Sequence, residues 1–388
     1  MQTTPQSILT RLAKEWQHVR ANLTTEKILN QAIAVQQIPA PTFAEAERAD
    51  FVQEQFKRLG LHDVWRDSLG NVYGWLEPNG RHRSVIVLSA HLDTVFPMPT
   101  DLTIRQEKTR VYGPGLGDNS LGVAGLLLVA EIFLREKRTW RHSICFVANT
   151  REEGLGNLDG IRAMLDYIPP AQIAGAIVLE GIALGRVYNG GIAVRRLKIA
   201  SRAEGGHSWL HFGRPSAIHG LVQLCADITQ LEVPHTPRTT FNIGVIEGGQ
   251  SVNSIASGAV CLLDLRSTEL ATLEKLEQRV RDLIVQHTQD GLTFEVNIAG
   301  NRPSGYLRGD HPLVQLAIGA QAEIGIAAGL ESGSTDANIL LAQGIPAVVV
   351  GITQGGNAHR QDEFIETRLL KDGLWQLVLL LAAASETL

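Results

Sequence analysis

The sequence predicts an α/β protein whose main domain is interrupted by a second, α+β domain. Continuously apolar segments such as residues 85–88 alternate with helical segments, which is typical of a mostly parallel sheet with helices on both faces. Residues 191–300 differ, because their elements follow the β-α-β-β-α-β order of the ferredoxin-like unit. We therefore expect a main domain formed by residues 1–190 and 301–388, with an inserted domain at residues 191–300.

The first half of the main domain begins with helix and then alternates between strand and helix. Leu9, Leu12 and Trp16 recur at helical spacing, and Pro39 and Pro41 separate this region from the next helix. Runs of apolar residues predict the strands that follow. The predicted elements are helices at about residues 43–59, 120–137 and 159–166, and strands at residues 71–76, 84–89, 143–148 and 176–179.

The character of the sequence changes near Gly190 and Gly191, where the inserted domain is expected to begin. Residues 192–201 mix apolar and basic side chains in partial alternation, which indicates a strand with one solvated face. The inserted domain is predicted to contain strands at residues 192–201, 240–247, 258–266 and 293–298, and helices at residues 216–231 and 270–287. The main domain is predicted to end with helices at residues 312–324, 336–343 and 367–385 and a strand at residues 347–351.

Composition and charge restrict the kind of partner that the chain can have. Of its 388 residues, 44% are hydrophobic and 19% are charged, which is a globular composition rather than a disordered one. The 35 basic residues do not outnumber the 40 acidic ones, so we expect no nucleic-acid partner. The longest apolar runs, residues 123–130 and 377–384, are shorter than the ~18–20 residues that span a bilayer, so we expect no membrane partner.

Cysteine usage and the N-terminal residues favour a cytoplasmic location. Cys145, Cys225 and Cys261 cannot all pair with one another and show no C-x-x-C spacing. We therefore interpret them as reduced core residues of a cytosolic protein. Residues 1–20 contain no apolar stretch long enough for a signal peptide.

Histidine and acidic side chains follow predicted strands or begin a predicted helix in five short segments. Because ligands of open α/β sheets bind beyond the carboxyl ends of the strands, we expect these segments to meet in one site. Each segment alone is weak evidence for a functional site, since an H-x-D pair usually occurs by chance and a Glu-Glu pair usually lies on a solvated face. The candidate residues are His91 with Asp93, Asp118, Glu152 with Glu153, Glu180, and His359.

A cleft that gathers five carboxylates and two imidazoles is expected to bind cations. The carboxylates repel one another and are costly to bury without positive charge. Mixed imidazole and carboxylate ligands suit Zn²⁺, with Co²⁺ or Mn²⁺ as alternatives. Two such ions about 3.5–4 Å apart can hold a water molecule and a substrate carbonyl together. The sequence therefore predicts a site for two divalent metal ions.

Short motifs occur along nearly the whole chain. They are I-P-A-P-T at residues 38–42, H-L-D-T-V at 91–95, G-D-N at 117–119, E-E-G at 152–154, G-H-S at 206–208, Asn253 with D-L-R at 264–266, S-T-D at 334–336, and His359. In these motifs and their order the chain resembles the co-catalytic zinc metallopeptidase family, which includes aminoacylase, acetylornithine deacetylase, succinyl-diaminopimelate desuccinylase, glutamate carboxypeptidase and tripeptide aminopeptidase. The family also has a ferredoxin-like lid domain that often mediates dimerisation, which agrees with the predicted insertion.

The resemblance implies two metal sites that share one ligand. His91, Asp118 and Glu180 would hold one ion. Asp118, Glu153 and His359 would hold the other, so that Asp118 bridges the two.

The resemblance also implies roles for residues beside the ligands. Asp93 would orient His91, as carboxylates behind metal-bound imidazoles do. Glu152 would act as general base on the water that bridges the metals and would pass the proton to the leaving nitrogen. The peptide bond between Asp118 and Asn119 is implied to be cis. Many relatives have a second Asp where this chain has Asn119, at a position that varies within the family.

In the inserted domain, the resemblance marks residues that would act on the substrate. His207 would stabilise the tetrahedral oxyanion in the site of a partner subunit, because the lid would pair the chains of a homodimer. Asn253 and Arg266 would hold the substrate carboxylate, which a guanidinium group matches with two parallel hydrogen bonds. Arg196 and Arg302 are rival candidates that the sequence does not rank. Without the resemblance, His207 would be interpreted as a turn histidine that follows two glycines.

The predicted function is a metal-dependent hydrolase that cleaves an amide or peptide bond in a small peptide or N-acyl amino acid with a free carboxylate. Glu180 favours the carboxypeptidase and deacylase branches, because the aminopeptidase and dipeptidase branches tend to have Asp at that position. A tripeptide-type aminopeptidase is the alternative within the family. A catalytically silent binding protein on the same fold is the alternative of another class, and loss of Glu152 or of a metal ligand would mark it.

Overall fold

The chain folds into two compact units, which we call the main unit and the inserted unit. The computed structural model describes residues 4–77 and 84–388. The main unit comprises the residues up to Gly191 together with Gly305–Leu388, and the inserted unit comprises Ile192–Ser304. The chain therefore leaves the main unit once and returns to it once.

The first part of the main unit contains both helices and strands. Its helices are α1 (Pro5–Glu15), α2 (Gln17–Asn22), α3 (Thr25–Gln36), α4 (Ala46–Leu59), α5 (Gly122–Arg135) and α6 (Asp159–Tyr167). Its strands are β1 (His62–Arg66), β2 (Val72–Trp75), β3 (Val85–His91), β4 (Arg105–Gln106), β5 (Arg110–Tyr112), β6 (Ser143–Asn149), β7 (Ile173–Leu179) and β8 (Arg186–Gly191). Helices α1 and α3 begin after Thr4 and Thr24, whose hydroxyl oxygens accept hydrogen bonds from backbone N–H groups of the first turn.

The inserted unit is an antiparallel sheet with two helices. Its elements are β9 (Ala193–Ala203), β10 (Gly206–His207), α7 (Ala217–Thr229), β11 (Thr239–Gly248), β12 (Ser254–Ile255), β13 (Gly258–Ser267), α8 (Leu270–His287) and β14 (Leu292–Arg302). The long strands are ordered β11-β13-β9-β14. Buried residues alternate with half-buried ones along β13, and the buried ones join the core formed with α7 and α8. The predicted ferredoxin-like fold is confirmed.

The last part of the chain completes the main unit. Its elements are β15 (Gly305–Tyr306), α9 (Pro312–Ala322), β16 (Gly329–Gly333), α10 (Ala337–Ala342), β17 (Ala347–Val350), β18 (Gly355–Gly356), β19 (Phe364–Glu366) and α11 (Leu370–Thr387). Strands β18, β19, β5 and β4 form a small four-stranded sheet. This sheet joins the C-terminal part of the chain to the segment before α5.

The large sheet of the main unit is parallel at its centre and antiparallel at its flanks. Its strand order is β1-β2-β6-β3-β7-β17-β8-β15, and β16 pairs with β8. Neighbouring strands among β6, β3, β7 and β17 are parallel, whereas β2 and β8 join this group in antiparallel orientation. The predicted α/β class is confirmed, and the antiparallel flanks make the sheet a mixed one. The carboxyl ends of the four central strands consequently lie along one edge.

Helices cover both faces of this sheet. Every residue of β3 is buried, which explains its continuously apolar sequence. Ile86 and Leu88 belong to the core formed with α4, α5 and α11, and Val85 and Val87 belong to a second core formed with α6 and α10. Alternate residues of one strand therefore contribute to the cores on opposite faces.

One helical stretch of the main unit has the composition of a membrane span. Leu116–Arg135 is 20 residues long and apolar enough to cross a bilayer, but 83% of its most apolar window is buried inside the protein. This burial identifies the stretch as a core helix.

Candidate metal centre

Asp118 lies between two histidines from distant parts of the main unit. His91 is the last residue of β3, and His359 lies in the loop between β18 and β19. Asp118 lies in the irregular turn Leu116–Leu121 that precedes α5. His91 Nε2 is 3.2 Å from Asp118 Oδ1, and His359 Nε2 is 3.2 Å from Asp118 Oδ2. Each carboxylate oxygen of Asp118 therefore faces a different imidazole, which is the orientation of a carboxylate that bridges two cations.

Two glutamates extend this arrangement on either side. Glu180 directly follows β7, and its Oε2 lies 3.7 Å from His91 Nε2. Glu153 lies in the turn after β6, and its Oε1 lies 3.1 Å from His359 Nε2. The ligand atoms lie within 4.8 Å of one another in each of two groups, which are His91, Asp118 and Glu180, and Asp118, Glu153 and His359. These two groups have the same members as the two ligand sets that the family resemblance implies.

The turn after β6 also places Glu152 beside the cluster. A carboxylate oxygen of Glu152 lies within 4.8 Å of ligand atoms of His91 and Glu153. Arg151 precedes Glu152 with a φ of 60°, in the left-handed region that non-glycine residues rarely adopt. Gly154 follows with a φ of 50°. Through this tight turn, two consecutive carboxylates reach the same cluster.

Asp93 connects His91 to this turn. Its Oδ1 accepts the backbone N–H of Glu152, and its Oδ2 accepts that of Glu153, each at 2.9 Å. The Thr42 hydroxyl donates to Oδ2, also at 2.9 Å. His91 Nδ1 lies 3.0 Å from the carbonyl oxygen of Asp93 and 3.5 Å from its Oδ1. The backbone carbonyl of Asp93 is thus the nearer partner of His91, and the carboxylate chiefly holds the turn that contains Glu152.

The I-P-A-P-T motif packs along the segment that follows β3. The Thr42 N–H donates to the Thr94 carbonyl at 3.3 Å. Arg48 is fully buried, and its guanidinium group donates to the Ile38 carbonyl at 2.6 and 3.0 Å and to the Leu92 carbonyl at 2.7 Å. The sequence alone gives no indication of a structural role for Arg48, because a charged residue in a helix is normally expected at the surface. In the structure it joins the motif to the segment between His91 and Asp93.

Asn119 holds the backbone on both sides of Glu180. Its Nδ2 donates to the Leu179 carbonyl at 2.8 Å, and its Oδ1 accepts from the Gly181 N–H at 3.1 Å. An ionised aspartate at this position could not donate to Leu179, so the amide contributes a contact that an aspartate would lack. The peptide bond between Asp118 and Asn119 is cis, which confirms the bond type that the resemblance implied.

Two buried acidic residues beside the cluster had not been predicted as site residues. Glu363 accepts the backbone N–H groups of Gly117 and Asp118 at 2.6 and 3.0 Å. Asp336 accepts the Asn149 side-chain amide at 2.6 Å, and burial raises the pKa of Asp336 well above its usual value. Asp336 belongs to the S-T-D motif at residues 334–336. Glu363 follows His359 by four residues in a polar loop, where the sequence gives no sign of burial.

The cluster has more negative charge than its two imidazoles balance. Burial, together with repulsion from Asp118, raises the pKa of Glu153 to about 8, and burial raises the pKa of Glu180 to about 7. Burial opposes ionisation of Asp118 too, but hydrogen bonds to His359 and His91 outweigh it and hold the pKa of Asp118 below its usual range. Burial alone would lower the pKa of His91, but hydrogen bonds, the largest of them to Asp118, raise it well above its usual value. Cations bound here would relieve the repulsion.

The donor atoms are spaced as divalent metal ions require. Two ligand atoms bonded to one Zn²⁺ at about 2.0–2.1 Å and at a tetrahedral angle lie about 3.4 Å apart. The imidazole–carboxylate distances in the cluster are 3.1–3.7 Å. Imidazole nitrogen and carboxylate oxygen are also donors that such ions accept. The residues therefore fit two divalent ions that share Asp118.

The inserted unit places its three candidate residues at two separate positions. His207 lies in β10, which pairs with β12, and the Ser208 N–H donates to the Asn253 carbonyl at 3.0 Å. His207 and Asn253 are therefore neighbours. Arg266 lies eight residues along β13 from its first residue, Gly258, which corresponds to ~27 Å at 3.4 Å per residue. Asn253 precedes the Gly258 end of β13, so within one chain Asn253 and Arg266 lie at opposite ends of this strand.

Arg266 belongs to a cluster that includes both rival candidates. Asp264 Oδ1 accepts from Arg196 Nε at 3.0 Å, and its Oδ2 accepts from Arg266 Nε at 2.6 Å. Burial, followed by the positive charge of Arg302, lowers the pKa of Arg196. Arg196 and Arg266 therefore share the carboxylate of Asp264, and the positive charge of Arg302 acts on Arg196. Guanidinium groups of this kind suit an anionic group of a ligand.

A carboxylate shared by two imidazoles can hold a pair of metal ions, and an additional buried glutamate beside it suits hydrolysis by activated water. The molecule is thus of the class of metal-dependent hydrolases. Its sequence matches Peptidase family M20/M25/M40 over residues 87–383, and the chain belongs to this family. The predicted hydrolase of amide or peptide bonds is confirmed at this level.

Individual relatives and solved structures agree with this membership. The chain is 27% identical over 344 residues to a succinyl-diaminopimelate desuccinylase of Corynebacterium glutamicum. The aligned region covers 84% of this chain and 88% of that protein. A tripeptidase of Staphylococcus aureus superposes with a TM-score of 0.77 at 20% identity, covering 94% of this chain and 99% of that one. A dinuclear metal-binding peptidase of the M20 family from Bacillus subtilis superposes with a TM-score of 0.65 at 15% identity, with coverage of 94% and 99%. The two structural likenesses show the shared fold.

Proposed function

We propose that the protein is a cytoplasmic dinuclear zinc hydrolase that cleaves the amide or peptide bond of an N-acyl amino acid or small peptide with a free carboxylate. The observation that supports this most directly is the placement of Asp118, with one oxygen toward His91 and the other toward His359. Zinc suits a site of mixed imidazole and carboxylate ligands. The three cysteines are free and buried, as expected of a protein in a reducing compartment.

The proposed ligand sets follow the two groups of close donor atoms. His91, Asp118 and Glu180 would hold one ion. Asp118, Glu153 and His359 would hold the other. When bound, the ions would polarise the substrate carbonyl and lower the pKa of water toward neutrality.

Glu152 is the proposed general base. It is 5% exposed, and Asp93 fixes its backbone while its carboxylate lies near both ligand groups. It takes a proton from the attacking water as the new C–O bond forms. It then gives that proton to the leaving nitrogen as the C–N bond breaks, so the products are a carboxylic acid and an amine. Asp93 is a positioning residue in this scheme, because it holds both the Glu152 turn and His91.

The inserted unit is proposed to supply the groups that bind the oxygen atoms of the substrate. His207 would donate to the oxyanion of the tetrahedral intermediate. Because His207 and Asn253 lie near the Gly258 end of β13 and Arg266 lies near its other end, we assign the two positions to two different sites of a homodimer. His207 with Asn253 would serve the site of the partner subunit, and the Arg266 cluster would bind the substrate carboxylate.

A panel of substrates tests the proposal. Protein loaded with Zn²⁺ would be incubated with N-acyl amino acids, dipeptides and tripeptides, each with a free or an amidated C-terminus. We expect hydrolysis of the free acids, loss of activity with a chelator, recovery with Zn²⁺, and a loss of at least about tenfold on amidation, because a charged hydrogen bond is removed.

The other outcomes of this panel identify the competing functions. Release of the N-terminal residue of tripeptides, with or without a free C-terminus, would indicate a tripeptide-type aminopeptidase. Saturable binding without turnover, by protein that contains two zinc ions per chain, would indicate the catalytically silent binding protein.

A further inference from the structure

Glu363 is a buried carboxylate that binds the turn in which Asp118 lies. The residue is fully buried and immediately precedes β19. Its Oε1 accepts the N–H groups of Gly117 and Asp118 at 2.6 and 3.0 Å, and its Oε2 accepts that of Gly115 at 3.3 Å. A single side chain thus satisfies three backbone donors of this turn.

Backbone pairing fixes Glu363 relative to the same turn. Tyr112 of β5 and Phe364 of β19 are register partners. One residue further, the Gly113 N–H donates to the Glu363 carbonyl oxygen at 2.9 Å. The chain continues from Gly113 into the turn of Asp118, and the Glu363 side chain provides the next contacts. Two parts of the chain that are far apart in sequence are therefore joined by a strand ladder and then by a carboxylate.

The glycines of the turn allow this close approach. A Cβ added to Gly117 would lie 2.5 Å from Ile182 Cγ2 and 3.1 Å from Glu363 Oε1. Gly115 has a φ of 66°, which favours glycine. The backbone N–H groups around these glycines form a concave set of donors, and a carboxylate is the strongest acceptor that a side chain can offer to such a set.

We propose that Glu363 is a positioning residue that places the Asp118 carboxylate between the two imidazoles before any metal binds. The inference rests on the proposed function, in which Asp118 is the shared ligand. Glu363 lies on the loop that also contains His359, whose Nε2 is 3.2 Å from Asp118 Oδ2. Its contacts therefore set the distance between two ligands of one ion. Groups that orient metal ligands in this way commonly contribute about 10–100-fold in metal affinity.

The substitution Glu363→Gln tests this role, because the amide keeps the size of the side chain and replaces one acceptor oxygen by a donor that would face backbone N–H groups. Chelator-treated protein would be titrated with Zn²⁺ by calorimetry, and the absorption spectrum of the Co²⁺-loaded protein would be recorded. We expect folded E363Q to bind the ions about 10–100-fold more weakly and to show an altered cobalt spectrum. Wild-type affinity and spectrum in folded E363Q would overturn the proposal.

A matched control separates this effect from loss of a buried carboxylate in general. Glu277 of α8 is also buried and pairs with Arg195 at 3.0 Å and Arg281 at 2.7 Å. E277Q should leave the zinc affinity and the cobalt spectrum unchanged. A similar change in both variants would contradict a specific role of Glu363.

If E363Q does not fold, amide hydrogen exchange in the wild-type protein tests the role of Glu363. The N–H groups of Gly117 and Asp118 donate to Glu363, so they should exchange slowly with solvent in chelator-treated protein. Fast exchange of these amides would overturn the proposal. Failure of wild-type protein to bind two zinc ions would instead contradict the proposed function, so the two failures are distinguishable.

Discussion

Most candidate chemical groups of the main unit are buried or half-buried, with His359 as the exposed exception, whereas His207 and Asn253 of the inserted unit are exposed. His91 and Glu152 are 1% and 5% exposed, and neighbouring loops hold them by hydrogen bonds. Large apolar side chains near His207 are exposed as well, and these are Trp209, Leu210, Phe212 and Val252.

The buried groups are therefore positioned within a single chain, whereas the exposed groups need contact with a second protein surface. Hydrogen bonds from the side chains of Asp93, Asn119 and Glu363 hold the backbone at the carboxylate residues of the main unit, so metal binding requires little rearrangement. His207 is exposed, and its Nδ1 accepts the backbone N–H of Trp209 at 3.2 Å within a local turn. Exposed apolar patches like the one around it commonly mark interaction sites. We therefore expect substitutions in the main unit to act on metal binding or on the chemical step, and substitutions in the inserted unit to depend on assembly.

The largest expected effect comes from Glu152→Gln in the main unit. The amide is close in size to the carboxylate but cannot accept the proton, so kcat should fall by about 10²–10⁴-fold. Elemental analysis should still find the wild-type zinc content. The control is Glu131→Gln, at a surface carboxylate of α5 that pairs with Lys27 at 2.8 Å. Turnover of E152Q within a few-fold of wild type would exclude Glu152 as the base.

His207→Ala is the corresponding substitution in the inserted unit. Loss of one donor to the oxyanion should lower kcat by about 10²–10³-fold, with unchanged zinc content because every proposed ligand lies in the main unit. His219→Ala, at an exposed histidine of α7, is the matched control. Equal losses of activity in both histidine variants would argue against a specific role of His207.

Mixing the two inactive variants sharpens the comparison between the units. A mixed dimer of E152Q and H207A chains would contain one site with both groups intact if His207 serves the partner subunit. We expect partial activity to return after subunit exchange. No recovery, with exchange confirmed by mass spectrometry of differently tagged chains, would place His207 outside the neighbouring site.

Asn119→Asp should have a smaller effect, confined to the main unit. The ionised aspartate cannot donate to the Leu179 carbonyl, so the backbone that positions Glu180 loses one of its two contacts. We expect zinc affinity to fall about tenfold, toward the lower end of the range for residues that orient ligands. Asn297→Asp, at an exposed position of β14, should leave the titration unchanged. An undiminished affinity of N119D would show that the aspartate found in relatives serves equally well in this chain.

The smallest expected effect is the dependence on pH of the free energy of unfolding of the metal-free protein. Burial raises the pKa of Glu180 to about 7, and burial with repulsion from Asp118 raises that of Glu153 to about 8. The folded chain then binds more protons than the unfolded chain above the ordinary glutamate pKa, so the free energy of unfolding falls as pH rises from about 5 to 8. The urea midpoint of chelator-treated protein should decrease over this interval, and saturating Zn²⁺ should reduce the slope. A midpoint that rises with pH would contradict the raised pKa values of these two glutamates.

The grouping of candidate metal ligands in the main unit could be predicted because local sequence fixes where several of them lie. His91 ends a buried apolar strand, and Glu180 directly follows another. Parallel pairing of β3 and β7 then brings His91 and Glu180 together, so no other contact has to be known to predict that they are close. Residues that act through burial could not be predicted in this way. Arg48 and Glu363 bind backbone groups of distant segments, and such contacts exist only after the chain has folded.

Several other differences between prediction and structure have similar causes. Strand β16 escaped prediction because Gly329–Gly333 is short, polar and largely exposed, so it lacks the pattern of a buried strand. The sequence placed the end of the insertion at residue 300, whereas β14 continues to Arg302 and the inserted unit to Ser304. The resemblance groups Asn253 with Arg266 as residues that hold the substrate carboxylate, and the two lie at opposite ends of β13.

Because Gly191 of β8 pairs with Gly305 of β15, the inserted unit could be removed without interrupting the large sheet. Because the chain departs and re-enters at register partners of one antiparallel ladder, a two-residue hairpin turn can close the gap without moving either strand. Recombination at this point would exchange the whole of Ile192–Ser304 for another module while leaving the large sheet continuous. The same junction offers a place to graft a foreign domain while keeping the main unit and its candidate metal centre.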